Sequence, residues 1–208
     1  MINHSTLHGK PYNPHGAGDG KPKQGRRLTM SQGTVPVMFP IPNFAIWKTV
    51  TLGGYKKYWD FEEALERAGF RISELAGFLL ARTWLANKIS RTVDLVKVTV
   101  GELGFSNEAT TTEIYARARE LGLSLCPAEV GPALRLAYSH QPADEWIYIA
   151  MEPIVDFYSG DIDSDVFCVA HVGRGQWLRA PNVRAADCWD TGYVWVFVRS
   201  PASSGASR

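Results

Sequence analysis

Cysteine is scarce, with three residues in 208, and Cys126, Cys168 and Cys188 stand far apart with no C-x-x-C pair. An odd, widely spaced set argues against a disulfide framework and against a structural zinc site, so buried, reduced thiols are expected. Long apolar runs are missing as well. No stretch of eighteen apolar residues occurs, and the N-terminus has no hydrophobic signal core, so neither a membrane span nor secretion is expected and the cytoplasm is the expected location. Nucleophile elbows, Walker loops, H-E-x-x-H and dinucleotide fingerprints are absent too. No cofactor and no motif-defined catalytic residue is therefore expected.

Charge of one sign is also lacking overall, with 22 Lys and Arg against 21 Asp and Glu and a net charge of +1. The distribution is uneven. Residues 1–37 hold Lys10, Lys21, Lys23, Arg26 and Arg27 against Asp19, a net +4, and Arg199 and Arg208 add +2 at the other end, which leaves 38–198 at −5. A mildly acidic body is a poor match for a groove that neutralises several phosphates, so duplex binding by the folded part is disfavoured. The basic run Lys21–Arg27 still offers weak, salt-sensitive affinity for nucleic acid or acidic lipid.

What is present is ample material for one core, 45% hydrophobic and 12% aromatic. Residues 1–40, rich in Gly, Pro, His, Asn and Ser without periodicity, read as a disordered basic leader. Residues 41–199 read as a single domain and 200–208 as a flexible tail. Phe44–Leu52 is dense in β-branched and aromatic residues and stops at Gly53-Gly54, which predicts a strand and turn. Asp60 with Glu63 resembles a capping box for a helix over Phe61–Ala68, and Ser73 caps a second helix carrying Leu75, Phe78, Leu79 and Leu85. The pair resembles a helix-turn-helix, but the second helix has only Arg82 and Lys88 as cations, so core packing is expected.

Val93–Val100 predicts another strand, and Thr110 with Glu113 forms a capping box opening a helix that Gly122 ends. After Tyr138 the pattern turns to strands over Trp146–Met151, Val166–Val172, Gln176–Arg179 and Tyr193–Arg199. The expected fold class is α+β, with helices in the first half and a largely antiparallel sheet in the second. Along the last strand Tyr193, Trp195 and Phe197 alternate with Val194, Val196 and Val198, so both faces are apolar and the strand is expected to be central and covered. Such a row would stack bases or sugars only if one face were open.

The middle of the chain carries the candidate site. In Leu125-Cys126-Pro127-Ala128-Glu129-Val130-Gly131-Pro132-Ala133-Leu134-Arg135-Leu136, two prolines, a glycine, one carboxylate and one guanidinium sit in an apolar frame. Pro127–Val130 reads as one helical turn, Gly131 as a break, and Pro132 as the start of a helix to about Tyr138. Glu129 is then expected beside a helix N-terminus and ionised, with Arg135 placed to pair with it or to hold a ligand carboxylate or phosphate. His171, on one strand face with Phe167 and Val169, is the candidate general base, against a packed or edge histidine. Asp161, Asp163 and Asp165 alternate like the start of a calcium loop. Val166 stands where that loop needs glycine and Val172 where it needs glutamate, so an acidic hairpin loop and no metal site is expected.

Together with Trp47-Lys48-Thr49, Glu102-Leu103-Gly104-Phe105 and Ile149-Ala150-Met151-Glu152-Pro153-Ile154, this central motif resembles a family of small uncharacterised bacterial proteins over roughly residues 44–198. The resemblance implies a bacterial cytoplasmic origin and one domain, and supplies no catalytic residues. Three functions stay open at this point. The first is a binding or accessory protein for a small molecule or a protein partner. The second is an enzyme using Glu129, Arg135 and His171. The third is a nucleic-acid binder acting through the basic leader.

Overall fold

A strand that is apolar on both faces can be hidden only at the middle of a covered sheet, and Val194–Arg199 occupies that place. The computed structural model describes residues 43–83, 89–156 and 163–200, all within a compact unit that begins at Asn43. The expected leader at 1–40, the tail beyond Ser200, and Leu85, Lys88 and Asp161 lie outside the described residues.

In chain order the elements are β1 (Lys48–Leu52), α1 (Tyr58–Arg67), β2 (Arg71–Ile72), α2 (Glu74–Thr83), β3 (Arg91–Thr99), β4 (Ala109–Thr110), α3 (Thr111–Glu120), β5 (Leu123–Ser124) and α4 (Val130–Ala137), followed by β6 (Trp146–Ile149), β7 (Ile154–Asp156), β8 (Asp163–Asp165), β9 (Cys168–Val172), β10 (Gly175–Arg179), β11 (Cys188–Trp189) and β12 (Val194–Arg199). The main sheet runs β1-β3-β12-β6-β9-β10-β2, with β5 added beside β12. Pairing is antiparallel except for β12 with β6 and β10 with β2. The class is α+β, but the helices do not precede the sheet: they are interleaved with strands, and β1 and β3 from the first half reach the sheet centre through β12. Local pattern names the elements, whereas order in the sheet depends on pairings between distant segments.

Period-two alternation then divides the side chains between two faces. One face carries Leu95, Lys97, Val196, Ile147, Val169, His171 and Gln176 and is packed by α4. The other carries Val96, Val98, Trp195, Phe197, Tyr148, Ala170, Trp177 and Arg179 by the same registers. Over its β3 and β12 half, α3 brings Tyr115 edge-on to Trp195 at 5.7 Å and to Phe197 at 6.3 Å. Tyr115 Oη donates to Met151 O at 3.1 Å and Trp189 Nε1 to Thr111 Oγ1 at 2.8 Å, so two polar tips of this layer are satisfied.

Several local expectations hold. The Thr110 and Glu113 capping box opens α3, and Ser73 Oγ accepts from Ala76 N at the start of α2. Others do not. Helix α1 begins at Tyr58 after Lys57, with no side-chain cap, so Asp60 sits inside the first turn rather than before it. A strand, β2, separates α1 from α2, which removes the helix-turn-helix likeness. Asp163 and Asp165 lie in β8, paired with β7, rather than in a loop. Cys126 and Cys168 are buried, but Cys188 is exposed.

The central corner is also different from its sequence reading. Gly131-Pro132 does not break the chain: Val130 N donates to Pro127 O at 2.9 Å, Gly131 N to Ala128 O at 3.1 Å and Ala133 N to Glu129 O at 3.2 Å, so the turn runs straight into α4. Pro132 falls in the first turn of α4, where an α-helix leaves its N-H groups unpaired in any case.

Candidate functional site

The carboxylate and guanidinium of the corner point to different parts of the molecule. Glu129 Oε1 accepts from Gly53 N at 2.6 Å and so ties the end of β1 to the start of α4. Gly53 adopts φ +77 against the backbone of Ile89 and Ser90, a conformation and a closeness that only glycine tolerates. Burial pushes the Glu129 carboxyl above the ordinary range, opposed by the Gly53 hydrogen bond and by the charge of Arg91. A helix terminus favours the charged form, and burial acts in the opposite direction.

Arg135 is 0% exposed. Its Nη1 donates to Gln141 Oε1, and its Nη2 to Tyr138 O and, at 2.8 Å, to Gln176 Oε1. The guanidinium carbon stands 4.6 Å from the Phe70 ring centroid, and Nε has no acceptor among the described residues. Burial lowers its pKa to about 10, with Tyr138, Cys168 and Glu145 opposing the shift. Its hydrogen-bonding edges are thus directed inward, joining the C-terminal end of α4 to β10. His171 Nδ1 donates to Gln141 O at 2.7 Å, so Nε2 is the ring nitrogen that this bond does not use.

Two of the three expected residues therefore meet, but through a fourth. Gln141, 3% exposed, receives both Arg135 and His171, and its own Nε2 donates to Glu145 O at 3.1 Å and Val169 O at 3.2 Å. Around it Tyr138 Oη donates to Glu145 Oε2 at 3.0 Å, Lys97 Nζ pairs with Glu145 Oε1 at 3.1 Å, and Trp47 lies edge-on to Tyr138 at 5.0 Å. Apart from Arg135 Nε and His171 Nε2, the side-chain polar groups named here bond to one another or to backbone of the same fold. Nothing in the sequence marks Gln141, because its partners come from three separate segments.

The opposite face holds a different arrangement. Trp146, Ala170, Trp177 and Arg71 stand in register across β6, β9, β10 and β2, and Arg179 lies two residues beyond Trp177 on the same face of β10. The Arg179 guanidinium carbon is 5.1 Å from the Trp146 ring and 5.8 Å from the Trp177 ring, and that of Arg71 is 5.3 Å from Trp177. Rings and cations thus form one row in which each guanidinium rests against an indole. Gly175, also on this face, leaves the space: a Cβ there would sit 3.1 Å from Trp177 Nε1 and 3.2 Å from Arg71 Nε.

Arg71 is exposed, and Trp146, Trp177 and Arg179 are partly so. Neither Arg71 nor Arg179 forms an ion pair with a carboxylate among the described residues. Stacking occupies the π-faces of a guanidinium but leaves its in-plane N-H groups available, and those groups match the oxygens of a carboxylate or phosphate. Sequence reasoning passed over these residues. The alternation in Gly175–Arg179 does put Trp177 and Arg179 on one face, yet Trp146 and Arg71 join them only through the β6-β9-β10-β2 register.

No family model, curated protein or solved structure matches the chain. Among the described residues no helix is long and apolar enough to cross a membrane, and no group of His, Cys, Asp and Glu is arranged to hold a metal ion.

Proposed function

We propose that the chain is a binding protein whose working surface is the Trp-Arg row on the outer sheet face, and that it takes a partner bearing oxyanions. The observation that supports this reading is the pairing state of Arg71 and Arg179: Arg71 is seated on Trp177 and Arg179 on Trp146 and Trp177, each without a carboxylate partner among the described residues. A cation held in one orientation before binding loses less side-chain freedom when it meets its ligand. Arg135, by contrast, spends its donors inside the fold, and Glu129 is engaged with Gly53, so the corner supports the scaffold around α4.

Titration of the full chain with adenosine triphosphate, citrate and inorganic phosphate, followed by tryptophan fluorescence, tests the reading. At least one oxyanion is expected to quench saturably, with the response weakened about tenfold in the Arg71→Ala, Arg179→Ala double variant, a loss of about 1.4 kcal/mol. Exposed cation-π contacts contribute about 0.5–1 kcal/mol each, so the double variant should remain folded. The absence of any saturable response, or a response unchanged in the double variant, removes the proposal.

A further inference from the structure

We infer that the partner held on this face is a single-stranded nucleic acid, an inference that rests on the Trp-Arg row being the binding surface. Three features of the row point to a polymer with bases. It crosses four adjacent strands, from Trp146 through Ala170 and Trp177 to Arg71, and with strands about 4.8 Å apart it is ~15 Å long, the reach of a few nucleotides rather than of one base. Its cations are separate, with Arg179 between the two rings and Arg71 beyond Trp177, so a ligand must present more than one anionic group to engage both. Its other members are indoles and guanidinium planes, the groups on which unpaired bases stack.

The same features argue against a duplex. Bases within a duplex are already stacked and offer no faces to Trp177 or to the arginine planes, and a body of net −5 over residues 38–198 repels a dense phosphate array. A single strand needs fewer phosphate contacts, because stacking supplies sequence-tolerant affinity. A polyanion without bases, such as a sulfated polysaccharide or an acidic peptide, would use the two arginines and leave the rings idle.

The experiment measures anisotropy of fluorescein-labelled eight-residue oligothymidylate and oligouridylate with the full chain at low salt. Unlabelled thymidine monophosphate, a heparin fragment, a polyglutamate peptide and a self-complementary duplex serve as competitors. An oligonucleotide is expected to bind about tenfold or more tighter than the monophosphate. Trp177→Leu is expected to weaken it about fivefold or more, and Arg179→Ala similarly, with both far-ultraviolet circular dichroism spectra unchanged. Both variants retain residues 1–37, so oligonucleotide binding unaffected by either belongs to the basic leader and overturns the inference. Competition by heparin, polyglutamate or the duplex as strong as that by the unlabelled oligonucleotide also overturns it. In each of those cases the oxyanion reading survives if the small oxyanions still quench; a chain that answers to neither class loses both.

Discussion

Gly131 lies directly against Phe167: a Cβ on Gly131 would stand 2.6 Å from Cγ of the ring, closer than any side-chain contact permits. Phe167 is fully buried immediately before β9, and Gly131 is the second residue of α4, so this glycine sets how closely the helix approaches the sheet. Alanine is the better helix former by about 1 kcal/mol, but overpacking a rigid core costs about 1–3 kcal/mol, and here the neighbour is an aromatic ring without room to turn. Gly131→Ala is expected to be net destabilising, read as a lower urea midpoint at unchanged m-value.

Glu129 gives the pH prediction. Its folded pKa is raised above the ordinary 4.5, with burial as the leading cause, so the native state binds this proton more tightly than the unfolded state does. The contribution to stability is therefore greatest in acid and is lost as pH rises from about the unfolded value through the raised one. Glu129→Gln keeps an acceptor for Gly53 N and has no charge to desolvate, so its stability relative to the native chain should improve across that interval. Glu129→Ala removes the acceptor and should lose about 1 kcal/mol. Urea unfolding of the three proteins at steps between pH 4 and pH 7 checks both, and a relative gain for Glu129→Gln that is flat with pH would refute the assignment.

The features legible in the sequence were those that neighbouring residues determine. Thr110 and Glu113 are three positions apart, their reciprocal bonds are local, and the box is present at 2.8 and 3.2 Å. The alternation from Val194 to Val198 likewise announced a strand covered on both faces. Where the reading failed, a local rule met a distant constraint. By local rules Gly131 is a helix breaker, whereas in the fold it admits Phe167, thirty-six positions away in the chain. The Trp-Arg row exists only because β2 adds in parallel to β10, while β6 pairs with β9, and no local pattern reports those pairings.

Arg135 is expected to behave as scaffold. Lysine places one charge where the guanidinium reaches Gln141, Tyr138 O and Gln176 at once, so Arg135→Lys leaves buried acceptors unpaired around a charge that is still desolvated. A loss of about 2–4 kcal/mol follows from the usual cost of such groups. Oligonucleotide affinity per folded molecule should stay as it is, since Arg135 lies on the other side of the sheet. Denaturation and anisotropy measured on the same preparation separate the two; intact stability with lost binding would return Arg135 to the site.

Gly175 offers the converse case, a substitution that should spare the fold and disturb the surface. Its backbone is not in the left-handed region, so alanine is free to adopt the native conformation, and the atoms it would crowd are Trp177 Nε1 at 3.1 Å and the Arg71 side chain at 3.2 Å. The Arg71 side chain is exposed, so the added methyl can displace it from its seat without shifting the core, and stability should change by no more than about 0.5 kcal/mol. The row, however, loses its outer cation from the Trp177 face. Gly175→Ala is therefore expected to alter tryptophan fluorescence and to weaken oligonucleotide binding about threefold to tenfold at unchanged melting temperature, the scale of one stacking or ion contact. Binding that persists unchanged while the fluorescence shifts would show that the seating of Arg71 on Trp177 contributes nothing to the affinity of this face.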